Sequence, residues 1–250
     1  MNDIRDEFQK LCASGVWRLW GPLYQRRARC RGLGFHILLS LVIAMVGIVG
    51  YDATLLFAEQ RGVTVWSPVI EWDWRIPALP WSVLIYLTLY FYFPLPLFVA
   101  DRTLRGCRDF AVFTQGMVLL FLVSYGVFLT LPVEIVVRTQ MEELVPSMSS
   151  PFAELFQLVY LLDRPWNAWP SLHVSGSLLI VLFIDYCWSV KEAVSTRQVC
   201  SRVALWLAWV ALTLSILTTK QHFLWDMVSG AVIGVLAWRW YVGPRLHRSL

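Results

Sequence analysis

The stretches 79–100 and 110–132 contain no charged residue. A helix crosses the roughly 30 Å hydrocarbon core of a bilayer with about 20 mostly apolar residues. Four more apolar runs approach that length: 35–57, 171–190, 203–221 and 225–242. The last is the least clear, because only Met227 to Trp238 separates Asp226 from Arg239. In hydrocarbon each backbone N–H and C=O must be satisfied within the chain, so spans of this kind are helices. Of the 250 residues, 58% are hydrophobic and 15% charged, a balance foreign to an ordinary soluble domain. The expected fold class is all-α: a polytopic membrane helix bundle of about six transmembrane helices.

The basic residues give an independent topology. Sixteen of the 21 Lys and Arg fall in the N-terminal arm (Arg5, Lys10, Arg18, Arg26, Arg27, Arg29 and Arg31), in two connections and in the C-terminal end. The connections hold Arg102, Arg105 and Arg108, then Lys191, Arg197 and Arg202, and the end holds Arg239, Arg245 and Arg248. Only Arg61, Arg75, Arg138, Arg164 and Lys220 fall on the other side. The positive-inside bias makes both termini cytoplasmic, as an even number of spans requires. Residues 1–34 then form a basic cytoplasmic arm, 35–242 the membrane domain and 243–250 a cytoplasmic tail. Arg26-Arg27-Ala28-Arg29 suits anionic lipid far better than nucleic acid, which is not an expected partner. No cleavable signal peptide is expected of the polar, basic start.

The five cysteines, Cys12, Cys30, Cys107, Cys187 and Cys200, all lie in or beside cytoplasmic segments, so disulfides are not expected. Most of the 14 tryptophans, such as Trp66, Trp72, Trp74, Trp81, Trp188 and Trp238, sit near span ends, where an aromatic belt explains them. Pro94 and Pro96 should kink the second span. Phe152 to Leu162 is too short to span and reads as an interfacial helix over the external face, ended by Asp163-Arg164-Pro165. Glu71, Asp73 and Arg75 read either as a functional acidic-basic loop or as a solvated one.

Two of the four histidines occupy Asn167-Ala168-Trp169-Pro170-Ser171-Leu172-His173 and Lys220-Gln221-His222-Phe223-Leu224-Trp225-Asp226. His173 opens the fourth span and His222 closes the fifth, so antiparallel packing brings both to one depth on the non-cytoplasmic side. Asp226, four residues after His222, can accept its Nδ1 proton on a shared helical face and leave the other nitrogen free to attack. Arg138 suits a bidentate grip on phosphate, and its ordinary alternative is a pair with Glu142. Ser171, Asn167 and Lys220 are further donors; Lys220 reads equally as a snorkelling lysine. Asp226 also suits the N-terminus of the sixth helix as a cap.

Pro170-Ser171-Leu172-His173 and His222-x3-Asp226 resemble the second and third motifs of the type 2 phosphatidic acid phosphatase superfamily. The similarity is nearest to its inositol phosphorylceramide synthase-like branch. Leu172 replaces the usual glycine, and Ser215 precedes Ile216 where arginine is usual. In the first motif Arg138 is followed by Thr139 instead of proline, and Leu131 fills the lysine position. The resemblance implies a metal- and cofactor-independent lipid-phosphate phosphatase. His222 would be the nucleophile, His173 the acid and then the base, and Arg138, Ser171, Lys220 and Asn167 the phosphate-binding groups. Lys220 would stand in for the missing arginine. The implied partners are a lipid phosphate substrate and membrane lipids. The compact chain without a targeting sequence points to a bacterial inner membrane, and the charge topology turns the site to the periplasm. The same histidines serve a phospho-headgroup transferase if a lipid hydroxyl replaces water. Two other readings are a metalloenzyme with His173, His222 and Asp226 as ligands and a non-catalytic lipid transporter or scaffold.

Overall fold

The computed structural model describes residues 2–190 and 195–247. Lys191 and Arg248, counted above among the cytoplasmic charges, lie outside the described residues, as do the last three residues of the tail. Among the described residues the secondary structure is entirely helical. The elements that matter are α1 (Asn2–Ala13), α2 (Gly34–Arg61), α3 (Leu104–Thr130), α4 (Ser150–Leu162), α5 (Leu172–Ser189), α6 (Thr196–Thr218) and α7 (Leu224–Leu236). Four of them, α2, α3, α5 and α6, are long and apolar enough to cross a membrane. They coincide with four of the six apolar runs, each within a turn or two.

The other two runs differ from a plain helix. The stretch 79–100 is not one continuous helix: it is split into Pro80–Ser82, Val83–Tyr86, Leu89–Tyr92 and Leu95–Val99. Pro94 and Pro96 remove two backbone donors. Ser82 Oγ and Thr88 Oγ1 donate to the carbonyls of Leu79 and Ile85, each at 2.6 Å, which offers the backbone local alternatives to a helical ladder. The run 225–242 is helical throughout. There α7 passes into a π-helical turn, Ala237–Val242, and then into Gly243–Leu246.

Helix starts follow their local chemistry. Thr103 caps α3 by accepting from Gly106 N, Ser171 caps α5 by accepting from Val174 N, and Ser195 caps α6 by accepting from Gln198 N. The interfacial helix expected over 152–162 is present as α4 and stops at Asp163.

α2 lies directly against α3. A Cβ on Gly50 would come within 2.3 Å of the Tyr125 ring, and Tyr125 donates to the carbonyls of Val46 and Gly47 at 3.0 and 2.9 Å. Between α3 and α5, Phe113 and Phe183 stack with centroids 4.5 Å apart. The basic N-terminal arm is folded onto this core: Leu11, Val16, Trp20 and Tyr24 are buried within it. Gln115 pins the arm by donating to Gly15 O at 3.1 Å and accepting from Trp17 N at 3.3 Å. Arg108 is buried against Asp109 at 2.6 Å and donates to Leu246 O at 3.0 Å.

The contact that matters most for the site is between α5 and α7. A Cβ on Gly230 would sit 2.7 Å from Ser171 O, and one on Gly234 would sit 3.0 Å from a Leu178 methyl. Glycine at these positions lets the start of α7 close on the start of α5.

Candidate active site

Three residues named from the sequence converge where α5 and α7 begin. His173 lies in the first turn of α5, and His222 lies in the turn between α6 and α7. His222 Nε2 is 3.0 Å from His173 Nδ1 and 3.3 Å from Ser171 Oγ. On its other side, His222 Nδ1 is 3.4 Å from Asp226 Oδ2, longer than an ordinary N–H···O bond. The rings meet edge to face, with centroids 5.0 Å apart.

His222 and Asp226 do not share a helical face, because His222 precedes the helix. Asp226 sits in the first turn of α7, and its Oδ2 accepts from Phe223 N at 2.9 Å while facing His222. Capping and orientation of the histidine are therefore combined in one oxygen. The main chain adds a bond from Ser171 N to Asp226 O at 3.3 Å, which ties the two helix starts together. The centre is nearly dry: His222 is 4% exposed and Asp226 0%.

The proposed phosphate ligands divide. Ser171 touches His222, as above. Arg138 is buried, but its Nη1 donates to Asp163 O at 2.7 Å and its Nε lies 3.2 Å from Glu142 Oε1. The guanidinium also stacks over Tyr160 at 3.8 Å, and burial lifts that phenol to about 12, so it stays neutral under the cation. The pairing with Glu142 foreseen as the alternative is the one present. Arg138 reaches the histidines through the segment it anchors.

Lys220 is 1% exposed, in a left-handed conformation, and donates to Asp73 O at 2.7 Å and Ile76 O at 2.6 Å. It holds the 70–76 loop instead of snorkelling to solvent. Asn167 is also left-handed, and its Nδ2 donates to Thr54 Oγ1 on α2 at 3.0 Å.

The acidic loop is not uniform either. Glu71 and Arg75 form an exposed pair at 2.5 Å. Asp73 is 3% exposed; its Oδ1 accepts from Leu224 N at 2.7 Å and its Oδ2 from Ile70 N at 2.8 Å. Asp73 and Lys220 therefore lock the loop to the start of α7, next to His222.

Three side chains without a role in the sequence reading complete the centre. Tyr86 OH is 2.7 Å from His173 Nε2 and donates to Asp163 Oδ2 at 2.8 Å. Tyr51 OH donates to Asp163 Oδ1. Asp163, read from sequence only as part of a helix stop, is buried beside His173. No local pattern in the sequence announces the three, because Asp163 falls in the external connection and both tyrosines fall in apolar runs.

Two cavities of about 400 and 370 Å³ lie away from the histidines. One is lined by Arg202, Trp206 and Val210, the other by Arg105, Asp109 and Tyr186. Among the described residues no group of three or more His, Cys, Asp and Glu is arranged to hold a metal ion. In comparisons with known proteins the chain matches no family model, no curated protein and no solved structure.

Proposed function

We propose that this protein is an integral membrane enzyme that cleaves a lipid phosphoester through a phosphohistidine. The observation that carries the reading is the His222 Nε2 to His173 Nδ1 juxtaposition, with Asp226 behind His222. With its Nδ1 hydrogen directed to Asp226, His222 presents a bare Nε2 as nucleophile. Nε2 forms a bond to phosphorus as the phosphorus–oxygen ester bond breaks, and His173 Nδ1 delivers its proton to the departing alcohol. Water then attacks phosphorus while its proton passes to His173 Nδ1, the N–P bond breaks, and phosphate leaves. Ser171 Oγ and the N–H groups opening α5 are the neutral donors nearest the developing charge.

In this reading the chain makes six passes, with 79–100 crossing as a broken helix and 225–242 as α7 with its π-helical extension. Neighbouring elements and side chains satisfy the backbone groups freed by the break. Both termini are then cytoplasmic and the histidines face outward. The lysine and arginine bias supports this orientation, which in a bacterial inner membrane turns the site to the periplasm.

Transfer to a lipid hydroxyl is the second reading, and the burial of His222 and Asp226 favours it, because a dry centre disadvantages water as the acceptor. One experiment tests both. The detergent-purified protein is offered a panel of lipid phosphates, with and without acceptor lipids, and free phosphate and new lipid products are followed together. Phosphate release lost in His222→Ala and His173→Ala establishes the phosphatase. A new phospholipid formed only when acceptor is present establishes the transferase. Equal turnover in wild type and His222→Ala removes the phosphohistidine.

A further inference from the structure

His173 has a second set of partners, on the side away from His222. Its Nε2 lies 2.7 Å from Tyr86 OH and 3.6 Å from Asp163 Oδ2. Tyr86 donates to that same oxygen at 2.8 Å, and Tyr51 donates to the other. Tyr86 and Asp163 are both buried. The guanidinium of Arg138 bonds to the main-chain oxygen of Asp163 and pairs with Glu142. The groups packed against the Asp163 carboxylate are thus two phenols and an imidazole. A buried carboxylate without a cationic partner is costly, and His173 is the one group in contact with it able to become a cation.

A phenol has one hydrogen to give, and that of Tyr86 is directed to Asp163. Its oxygen is then an acceptor, so His173 Nε2 carries a hydrogen. A second hydrogen on His173 Nδ1 meets the bare Nε2 of His222, whose own hydrogen faces Asp226. Each donor along Asp226–His222–His173–Tyr86–Asp163 then meets an acceptor, with a carboxylate at each end. With both rings neutral, His222 must donate through Nε2, and its bare Nδ1 opposes the Asp226 carboxylate; with the extra proton on His222 instead, the buried Asp163 carboxylate is left with no cation in contact.

We infer that Tyr86 and Asp163 are positioning residues for His173, holding its ring with hydrogens on both nitrogens and its Nδ1–H aimed at the leaving oxygen. The inference rests on the phosphoester reading above. In the first displacement Nδ1–H goes to the departing alkoxide while Nε2–H stays on Tyr86. In the second, Nδ1 recovers a proton from the acceptor, and the cycle closes.

The test separates acid catalysis from mere folding by varying the leaving group. Wild type, Asp163→Asn and Tyr86→Phe are mixed in detergent with decyl phosphate or with a nitrophenyl phosphate carrying the same decyl tail. Release of the first equivalent of alcohol or nitrophenol is timed, so the result does not depend on whether water or a lipid is the final acceptor. An alkoxide needs a proton to leave and a nitrophenolate does not. Because general acid catalysis supplies typically about 10²- to 10⁴-fold, both variants should lose about 10- to 100-fold on decyl phosphate. Loss on the nitrophenyl ester should be much smaller, which also certifies that the variants fold. If wild type releases neither product, the phosphoester reading itself fails and this inference with it. If wild type is active and any other pattern appears, such as equal losses on both esters or none on either, the inference is overturned while the phosphoester reading stands.

Discussion

His222 Nε2 lies 3.0 Å from His173 Nδ1, although 49 residues separate the two histidines in sequence. In-line displacement places nucleophile and leaving oxygen on opposite sides of phosphorus, and a gap of this size does not admit a phosphoryl group. In the phosphohistidine reading proposed above, the two rings must therefore part when substrate enters. His222 is held by the α7 cap and His173 by Tyr86, so the motion lies in side-chain rotation or in separation of the helix starts. A phosphate analogue such as vanadate should lock the parted state and protect the site against histidine modification by diethyl pyrocarbonate. Unchanged modification rates with saturating vanadate would argue against a phosphoryl site between the rings.

Asp226→Asn should keep the fold and lose the chemistry. An amide oxygen can still accept from Phe223 N, but the amide no longer favours the His222 tautomer that leaves Nε2 bare. Comparable tautomer losses in other catalytic triads reach about 10⁴-fold in kcat. The expected result is a fall of roughly that order, with the thermal midpoint little changed. A variant with near-normal turnover would reduce Asp226 to a cap.

The glycines of α7 set the distance between the two motifs, so the spacing can be tested without replacing a histidine or Asp226. Gly230→Leu drives a side chain into Ser171 O, only 2.7 Å from where Cβ would stand. Overpacking of this kind typically costs about 1–3 kcal/mol, and here the strain falls on the start of α5. Turnover should drop more steeply than stability. Gly126→Ala on α3 is the control, since nothing lies within 4 Å of its added Cβ. It should be neutral or slightly stabilising, because alanine is favoured over glycine within helices by about 0.5–1 kcal/mol. Activity and thermal midpoint measured side by side would expose a failure of either expectation.

Much of this arrangement is legible in the sequence, and what is not has physical causes. The apolar runs specify α2, α3, α5 and α6, because length and hydropathy alone decide whether a helix can span. The meeting of His173 and His222 is legible because antiparallel spans bring the start of one and the end of the next to one depth. The placement of His222 ahead of α7, off any helical face shared with Asp226, is not. Tyr86 is not, since one more aromatic in an uncharged run looks like a lipid-facing or belt residue. Its role depends on a contact with His173 made across 87 residues. Tyr51 and Asp163 meet across 112. From sequence, Arg138 and Lys220 read as phosphate ligands because a cation near a candidate site invites an anion. Carbonyls of Asp163, Asp73 and Ile76 claim them first, and no local pattern announces such partners.

Lys220 therefore carries a prediction of its own. Lys220→Met removes the donor from two carbonyls, and a buried polar group left unsatisfied costs about 1–3 kcal/mol. The 70–76 loop should loosen from α7, which lowers the thermal midpoint and raises protease sensitivity near Trp72 and Trp74. If Lys220 instead bound phosphate in the working enzyme, Lys220→Met would weaken substrate binding with little effect on stability. Thermal unfolding and KM, measured on one preparation, separate the two.

The topology makes a sharp chemical prediction, because exposed thiols on the two faces should react from opposite sides. Cys30 and Cys200 are exposed and belong to segments assigned to the cytoplasm. Glu71, whose side chain is 76% exposed, belongs to the loop that braces the histidines. In intact cells a membrane-impermeant maleimide should label Glu71→Cys and leave Cys30 and Cys200 untouched until the membrane is opened. A broken helix over 79–100 must cross for this to hold, since it alone separates the 70–76 loop from the Arg102–Arg105–Arg108 connection. Labelling of Cys30 in intact cells would invert the topology. Labelling of Glu71→Cys only after permeabilisation would instead put the histidines on the cytoplasmic face, where the positive-inside bias does not place them.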